Sequence, residues 1–204
     1  MDNLEALKHA PAELGIHDLI ASRWSPRAFS DKAVSADDLT KIFTAASWAA
    51  SSTNEQPWRF LVGRKGDETF AKILESLVAF NQTWAGKAPV LVLSAGKKTF
   101  SPGPYGGGAN DYALHDTGAA SATMSLQAMA LGLHTHGMGG FDKEKARAHF
   151  GIPEDFEIGA VWALGYLGEP DSLSEVLKGR ELAERTRKPV GEFVFSEWDV
   201  AAKF

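Results

Sequence analysis

Two arginines flank a hydroxyl in Arg23-Trp24-Ser25-Pro26-Arg27, a combination that could grip an anion. A guanidinium presents a planar fork of N–H donors that matches phosphate oxygens, and Ser25 adds a neutral donor. Pro26 biases Ser25 away from helical geometry, so the short amphipathic stretch before it, with Ile16, Leu19 and Ile20, should end there and turn. Taken alone, the same residues also fit a solvated helix cap. His134 and His136 stand two apart; on a strand they would share a face and could chelate a metal. No third ligand stands at a recognisable spacing, so the pair reads instead as hydrogen-bonded histidines beside a subunit contact. Gly137-Met138-Gly139-Gly140-Phe141-Asp142 lacks the third glycine of a dinucleotide fingerprint. No lysine is placed for a phosphate-binding loop, and a G-x-S-x-G nucleophile elbow is absent.

These groups need elements to position them. Ser35 should cap a helix with Asp37 and Asp38 in its first turn, since Leu39, Ile42, Phe43 and Ala46 then recur at helical spacing. Small polar residues, Ser51-Ser52-Thr53-Asn54, follow it. Phe60–Gly63 reads as a strand, residues 68–80 as one helix, and Pro89–Ser94 as a central strand covered on both faces. Residues 100–110 form a Gly/Pro-rich loop that carries no charge before Asp111. Residues 111–131 should be a long helix, apolar nearly all round and therefore buried in a core or a subunit interface, stopped by Gly132. A short helix over 142–150, a strand over 158–167, a helix over 173–183 and a strand over 193–195 complete the pattern, with an exposed-looking tail. Few strands and several helices without regular alternation predict an α+β fold.

Composition sets the bounds. The 204 residues suit one domain, and 44% hydrophobic content with six tryptophans is ample for a core. A net charge of -5 argues against nonspecific nucleic-acid binding and against an anionic membrane surface. Cysteine is absent, which excludes disulfides and thiol catalysis and agrees with a cytoplasmic setting. Met1-Asp2-Asn3-Leu4-Glu5 does not read as a signal peptide, and the apolar run over 88–95 is too short to span a bilayer.

One ligand would use most of these groups. A flavin mononucleotide needs cations at its phosphate, hydrogen-bonding groups at its pyrimidine edge, a donor at N5 and an apolar wall. Arg23, Ser25, Arg27, Arg185 and Arg187 are of the first kind, and Ser51, Ser52, Asn54 and Asn81 of the second. Gly139 and Gly140 let backbone N–H groups approach a ring closely because no Cβ intervenes. Trp24, Phe80, Trp84 and Tyr105 are candidate walls. Caps, a turn and a solvated helix end account for the same residues, and spacing alone leaves both accounts open.

The order of the segments resembles the nitroreductase family of FMN-dependent oxidoreductases over nearly the whole chain. Arg23-Trp24-Ser25-Pro26-Arg27 is similar to that family's opening motif. Ala50-Ser51-Ser52-Thr53-Asn54-Glu55-Gln56-Pro57-Trp58 is similar to its second motif and is the most specific match. Asn81-Gln82-Thr83-Trp84 follows in place. Asp116 in the small-residue helix and then Met138-Gly139-Gly140-Phe141 resemble its central helix and flavin loop, and Ala163-Leu164-Gly165-Tyr166-Leu167-Gly168 its last core strand. Arg185-Thr186-Arg187-Lys188-Pro189 resembles its C-terminal phosphate-binding segment.

The resemblance implies one domain over 1–204, a mostly antiparallel central sheet flanked by helices around a long buried helix, and an intertwined homodimer. The tail from about residue 190 is expected to pack on the partner. It implies that Arg23, Ser25, Arg185 and Arg187 hold the FMN phosphate, with Trp24 beside them. Arg27 would stand near the ribityl chain and O2, where positive charge stabilises a reduced ring. Asn81 would bond the pyrimidine edge, and the backbone around Met138, Gly139 and Gly140 would reach N5 and O4. Ser51, Ser52 and Asn54 would come from the partner subunit, while Thr53, Phe80, Trp84 and Tyr105 would line a substrate pocket. Trp84 stands where some members carry a lysine, which replaces a charge with an aromatic surface. The activity implied is hydride transfer from NAD(P)H through flavin N5 to a nitroaromatic or quinone-like acceptor. A flavin carrier or sensor without turnover, or another flavin reaction such as dehalogenation or ring oxidation, is the alternative. No acid–base side chain is required, because the flavin carries the chemistry.

Overall fold

The structure is a computed structural model describing residues 2–103 and 107–203. Strands β1 (Trp58–Arg64), β2 (Val90–Lys97), β3 (His134–Met138) and β4 (Phe156–Gly165) form an antiparallel sheet in the order β1-β2-β4-β3. Its helices are α1 (Asp2–Lys8), α2 (Asp18–Ser22), α3 (Ala36–Ser47), α4 (Glu68–Ser76), α5 (Ala79–Ala85), α6 (Ala113–Ala130), α7 (Lys143–Phe150) and α8 (Glu175–Leu182). A small ribbon, β5 (Phe195–Glu197) with β6 (Val200–Ala201), lies near the end of the chain.

β2 explains the layering. It is buried from Val90 through Gly96, as its continuous apolar run requires. Successive side chains point to opposite faces. Leu91 and Leu93 therefore pack with Ile73, Trp84, Ile158 and Val161 on one side. Val90 and Val92 pack with Ile42, Ala120 and Met124 of α3 and α6 on the other. The α+β architecture expected from sequence is the one found.

Several elements differ in detail. The helix expected over 68–80 is two helices, because Leu77 and Val78 are extended. There Leu77 bridges Phe141, and Val78 N–H donates to the Gly140 carbonyl at 3.1 Å. That break starts a new helix and places Asn81 beside the Gly139–Gly140 turn. α6 is buried along Asp116, Ala120, Met124 and Ala128, whereas Leu114, Gly118 and Ala122 are exposed. One face of this helix is thus uncovered within the chain, so the chain's own core buries only part of it. The late strand begins at Phe195 rather than 193, and α1 carries no strong sequence signal. No helix among the described residues is long and apolar enough to cross a membrane.

Gly96 is where β2 meets α6. A Cβ there would lie 2.6 Å from the Ala113 carbonyl oxygen and 2.8 Å from Thr117 Oγ1. Gly96→Ala should therefore force strand and helix apart and cost roughly 1–3 kcal/mol. Gly179, on exposed α8 surface, would place a Cβ with nothing within 4 Å, so Gly179→Ala should gain about 0.5–1 kcal/mol of helix propensity. Urea midpoints moving in opposite directions for the two variants are the expected result.

Candidate functional site

Arg23 closes α2 and Arg185 follows α8, and the fold brings these distant segments together. Arg23, Ser25, Arg27, Arg185 and Arg187 all line one cavity of about 210 Å³, and Lys8 and Arg180 join them. Arg23 Nη1 donates to Ser25 Oγ at 3.3 Å. Arg185 donates to the carbonyls of Lys8 and Ala21, the latter at 2.7 Å, so it fastens α1 and α2 as well as facing the cavity. Lys8 is buried, donates through Nζ to the Ala183 carbonyl and lies 5.1 Å from the Trp24 ring centroid. Arg187 is exposed and donates to its neighbour, the Thr186 carbonyl, at 2.7 Å.

Burial lowers the pKa of Arg23, Arg27, Arg185 and Lys8. Neighbouring cations push the same way: Arg187 on Arg23 and Arg185, Arg180 on Arg27, and Arg185 on Lys8. Glu181 opposes them at Lys8 and Arg27. Arginine stays protonated at any ordinary pH, so the crowding amounts to a positive potential that an anion relieves. Arg27 Nε is buried with no partner, which fits a site awaiting an acceptor atom.

A second group lies at the end of β3. Asn81 Nδ2 donates to the Gly140 carbonyl at 3.0 Å. A Cβ on Gly140 would stand 2.8 Å from that nitrogen, whereas one on Gly139 would meet nothing within 4 Å. Gly140 thus admits the asparagine, and Gly139 leaves its side of the turn open. Phe80 is 45% exposed on α5, with the Arg180 guanidinium 5.3 Å from its ring centroid. It remains a candidate wall next to the arginine cavity.

Ser51, Ser52, Thr53 and Asn54 form a third group, none of which lines that cavity. Thr53, Asn54 and Gln56 all have positive φ, at 51°, 57° and 52°. Non-glycine residues in that region are strained, and the surroundings hold them there. The buried Asp116 carboxylate accepts the Ser52 N–H at 2.9 Å, Ser51 Oγ accepts the Gln56 N–H at 3.0 Å, and Glu55 accepts the Ser101 N–H and hydroxyl.

Some expectations need correction. Trp84 is 1% exposed, its ring stacked on Phe29 at 6.5 Å and tilted against His136 at 4.5 Å. It is a core residue and offers no aromatic surface to a ligand. The Met138 side chain is also in the core, so only its backbone can face a cofactor. Trp24 is buried, and it lines both the arginine cavity and a second one of about 300 Å³ that reaches His134. Tyr105 lies outside the described residues. The histidines do not behave alike: His136 Nδ1 bonds the Pro26 carbonyl at 2.8 Å, while neither ring nitrogen of His134 has a partner.

Sequence reasoning missed Lys8, Arg180 and Glu181. Lys8 ends a helix with no strong pattern. Glu181 stands among Lys178, Arg180 and Glu184, where a charge run looks like a solvated face. Its burial, with Leu177 four residues earlier on the same face of α8, emerges only from the fold.

The fold and these groups define an α+β protein with a cation-lined cavity between its N-terminal helices and C-terminal segment. A profile of the Nitroreductase family matches residues 20–166. An Archaeoglobus fulgidus protein, provisionally named NADH dehydrogenase/NAD(P)H nitroreductase, is 34% identical over 152 residues, 72% of this chain and 83% of that protein. A crystal structure described as an oxidoreductase containing FMN superposes with a TM-score of 0.86 at 34% identity, over 92% of this chain and 94% of its own. A Desulfovibrio desulfuricans protein, provisionally described as a nitroreductase and solved with FMN, shares the fold with a TM-score of 0.70 at 24% identity, over 88% and 94% of the two chains. The chain belongs to the nitroreductase family.

The histidines behind the arginines give the fold a pH dependence. Burial pushes both imidazoles down from 6.5 to about 4; Arg23 adds to this at His134, and at His136 the Pro26 bond opposes it. Both folded pKa values lie below the unfolded one, so the unfolded chain binds more protons between them, and stability falls as pH drops from about 6.5 toward 4. His134→Leu, which breaks no hydrogen bond, should lessen that fall by on the order of 1 kcal/mol. Urea unfolding at pH 7.5 and pH 5 checks it: equal losses in wild type and variant would contradict the assignment.

Proposed function

We propose that this protein is an FMN-dependent NAD(P)H oxidoreductase acting on an electron-poor acceptor such as a nitroaromatic or quinone. The observation that carries the reading is the convergence of Arg23, Ser25, Arg27, Arg185 and Arg187 on one cavity from opposite ends of the chain. The donor set suits a phosphate monoester, because guanidinium groups bond its oxygens in pairs. The partnerless Arg27 Nε and the open side of Gly139 are consistent with a ligand running from the arginine cavity toward the end of β3.

In this reading Arg23, Ser25, Arg185 and Arg187 hold the phosphate. Arg27 places positive charge toward the ring's pyrimidine end. Asn81 orients that edge, and the backbone at Met138, Gly139 and Gly140 meets N5 and O4. Bound FMN would supply the hydride chemistry, accepting from the nicotinamide and delivering to the acceptor. Phe80, exposed beside Arg180, would form part of the wall against which a flat substrate lies.

The dimer is part of the same proposal. Trp48 is 84% and Trp198 88% exposed, and the outer face of α6 is uncovered. Faces of this kind are covered in a stable assembly. A partner would supply Ser51, Ser52 and Asn54 to the flavin and Thr53 to the substrate pocket, since these residues stand apart from their own chain's arginine cavity. The ribbon of β5 and β6, flanked by the exposed Phe193, would lie on the partner. We place the protein in the cytoplasm, in keeping with a chain that contains no cysteine.

Purified protein should be yellow or take up added FMN, and NAD(P)H should bleach it anaerobically. A colourless protein that refuses FMN would sink the proposal, and bound flavin that NAD(P)H does not reduce would favour a carrier or sensor. Arg187→Ala should weaken FMN binding roughly 10-fold or more with little change in stability, because among the described residues its side chain bonds only its own neighbour. Arg185→Ala should lower both affinity and thermal stability, because Arg185 also fastens α1 and α2. Fluorescence titration and thermal melts separate the two effects.

A further inference from the structure

Glu181 is fully buried in a stretch of α8 that is otherwise rich in exposed charge. Its Oε1 accepts the N–H of Arg27 at 2.9 Å and of Ala28 at 3.0 Å, and its Oε2 shares the Arg27 N–H at 3.0 Å. Among the described residues it forms no ion pair with a lysine or arginine head group. A buried carboxylate is expensive to keep unless its lone pairs are used, and here they are used on the backbone of one loop.

That loop is the one that carries the phosphate-binding groups. Its far side is fixed by β4's continuation, with Ser30 N–H donating to the Tyr166 carbonyl at 3.0 Å and Gly168 N–H to the Ala28 carbonyl at 2.9 Å. Gly168 has no room for a Cβ, which would fall 2.5 Å from the Phe29 carbonyl carbon. Glu181 fixes the near side. Four residues after Glu181 comes Arg185, and two after that Arg187, so one carboxylate joins both halves of the arginine cavity. It is also the nearby negative charge felt by Lys8 and Arg27.

We propose that Glu181 is a positioning residue for phosphate recognition: it docks the Arg23–Arg27 loop onto α8 and offsets the repulsion among the cations gathered there. The inference rests on the FMN reading above. A carboxylate that merely filled the core would support both ends of the flavin equally, whereas this one should matter for the phosphate alone.

FMN and riboflavin differ only by that phosphate, so their affinities for wild type, Glu181→Ala and Glu181→Gln, titrated by flavin fluorescence at low and moderate salt, provide the test. Glu181→Ala should weaken FMN about 10- to 100-fold and riboflavin less than about 3-fold, collapsing the ratio. Glu181→Gln keeps an acceptor near both N–H groups but loses the charge. Its FMN affinity should fall less and depend more steeply on salt, because the cations it leaves are less compensated. A folded Glu181→Ala protein with the wild-type ratio would overturn the inference while leaving the FMN reading intact. If that variant does not fold, a Glu181→Gln protein with wild-type salt dependence would overturn it equally. Wild type that binds neither flavin, or both alike, would overturn the phosphate assignment itself and this inference with it.

Discussion

Arginines repel one another, and placing Arg23, Arg27, Arg180, Arg185 and Arg187 around a single cavity requires the rest of the fold to hold them there. The repulsion is strongest where water is excluded, because the local dielectric is low. The chain meets it with rigid attachments. Arg185 donates to two carbonyls, Lys8 to a third, and Glu181 grips the loop between Arg23 and Phe29. Each attachment joins elements from opposite ends of the sequence. The N-terminal helices, the continuation of β4 and α8 consequently form one unit, and the sheet beneath is its support.

The parts of this design that were legible in the sequence are those with local causes. Ser35 accepts the Asp38 N–H at 2.9 Å, as a cap residue should, and β2 is buried along its apolar run. Arg23, Arg27, Arg185 and Arg187 of the cavity were also visible, because resemblance supplied what spacing could not: that residues near 25 and near 186 meet. Failures arose where tertiary contacts override local preference. The 68–80 segment has helical character throughout, yet breaks at Leu77 because the backbone there bonds the Gly140 turn. Trp84 looked like an exposed aromatic because a lysine can occupy the matching position in relatives. Its environment, between Phe29 and His136, is a core that only the folded chain reveals. Glu181 escaped notice for the opposite reason, since a carboxylate among exposed charges carries no sequence mark of burial.

Strain is concentrated in the turn over residues 53–56. Thr53, Asn54 and Gln56 all adopt left-handed backbone, and two carboxylates, from Asp116 and Glu55, are committed to bonds that hold this turn and the loop after it. Strained segments persist only when over-determined by their surroundings. The turn is thus shaped in advance of any partner, and its shape is anchored to α6, whose outer face is uncovered. A second copy docking on that face, as proposed above, would meet a turn whose shape is already fixed.

The cavity's charge is set by what lies behind it as well as by the arginines. His134 and His136 share the face of β3 beneath Trp24 and Trp84, and burial keeps both neutral until about pH 4. Were they to protonate near neutrality, two more cations would join the group, and the potential at the phosphate position would change across the physiological range. Holding them neutral leaves the charge to guanidinium groups, which do not titrate there. The rings of Trp24 and Trp84, packed against His134 and His136, therefore have a use: they help to desolvate the imidazoles, which then add no charge to the guanidinium groups across the physiological range.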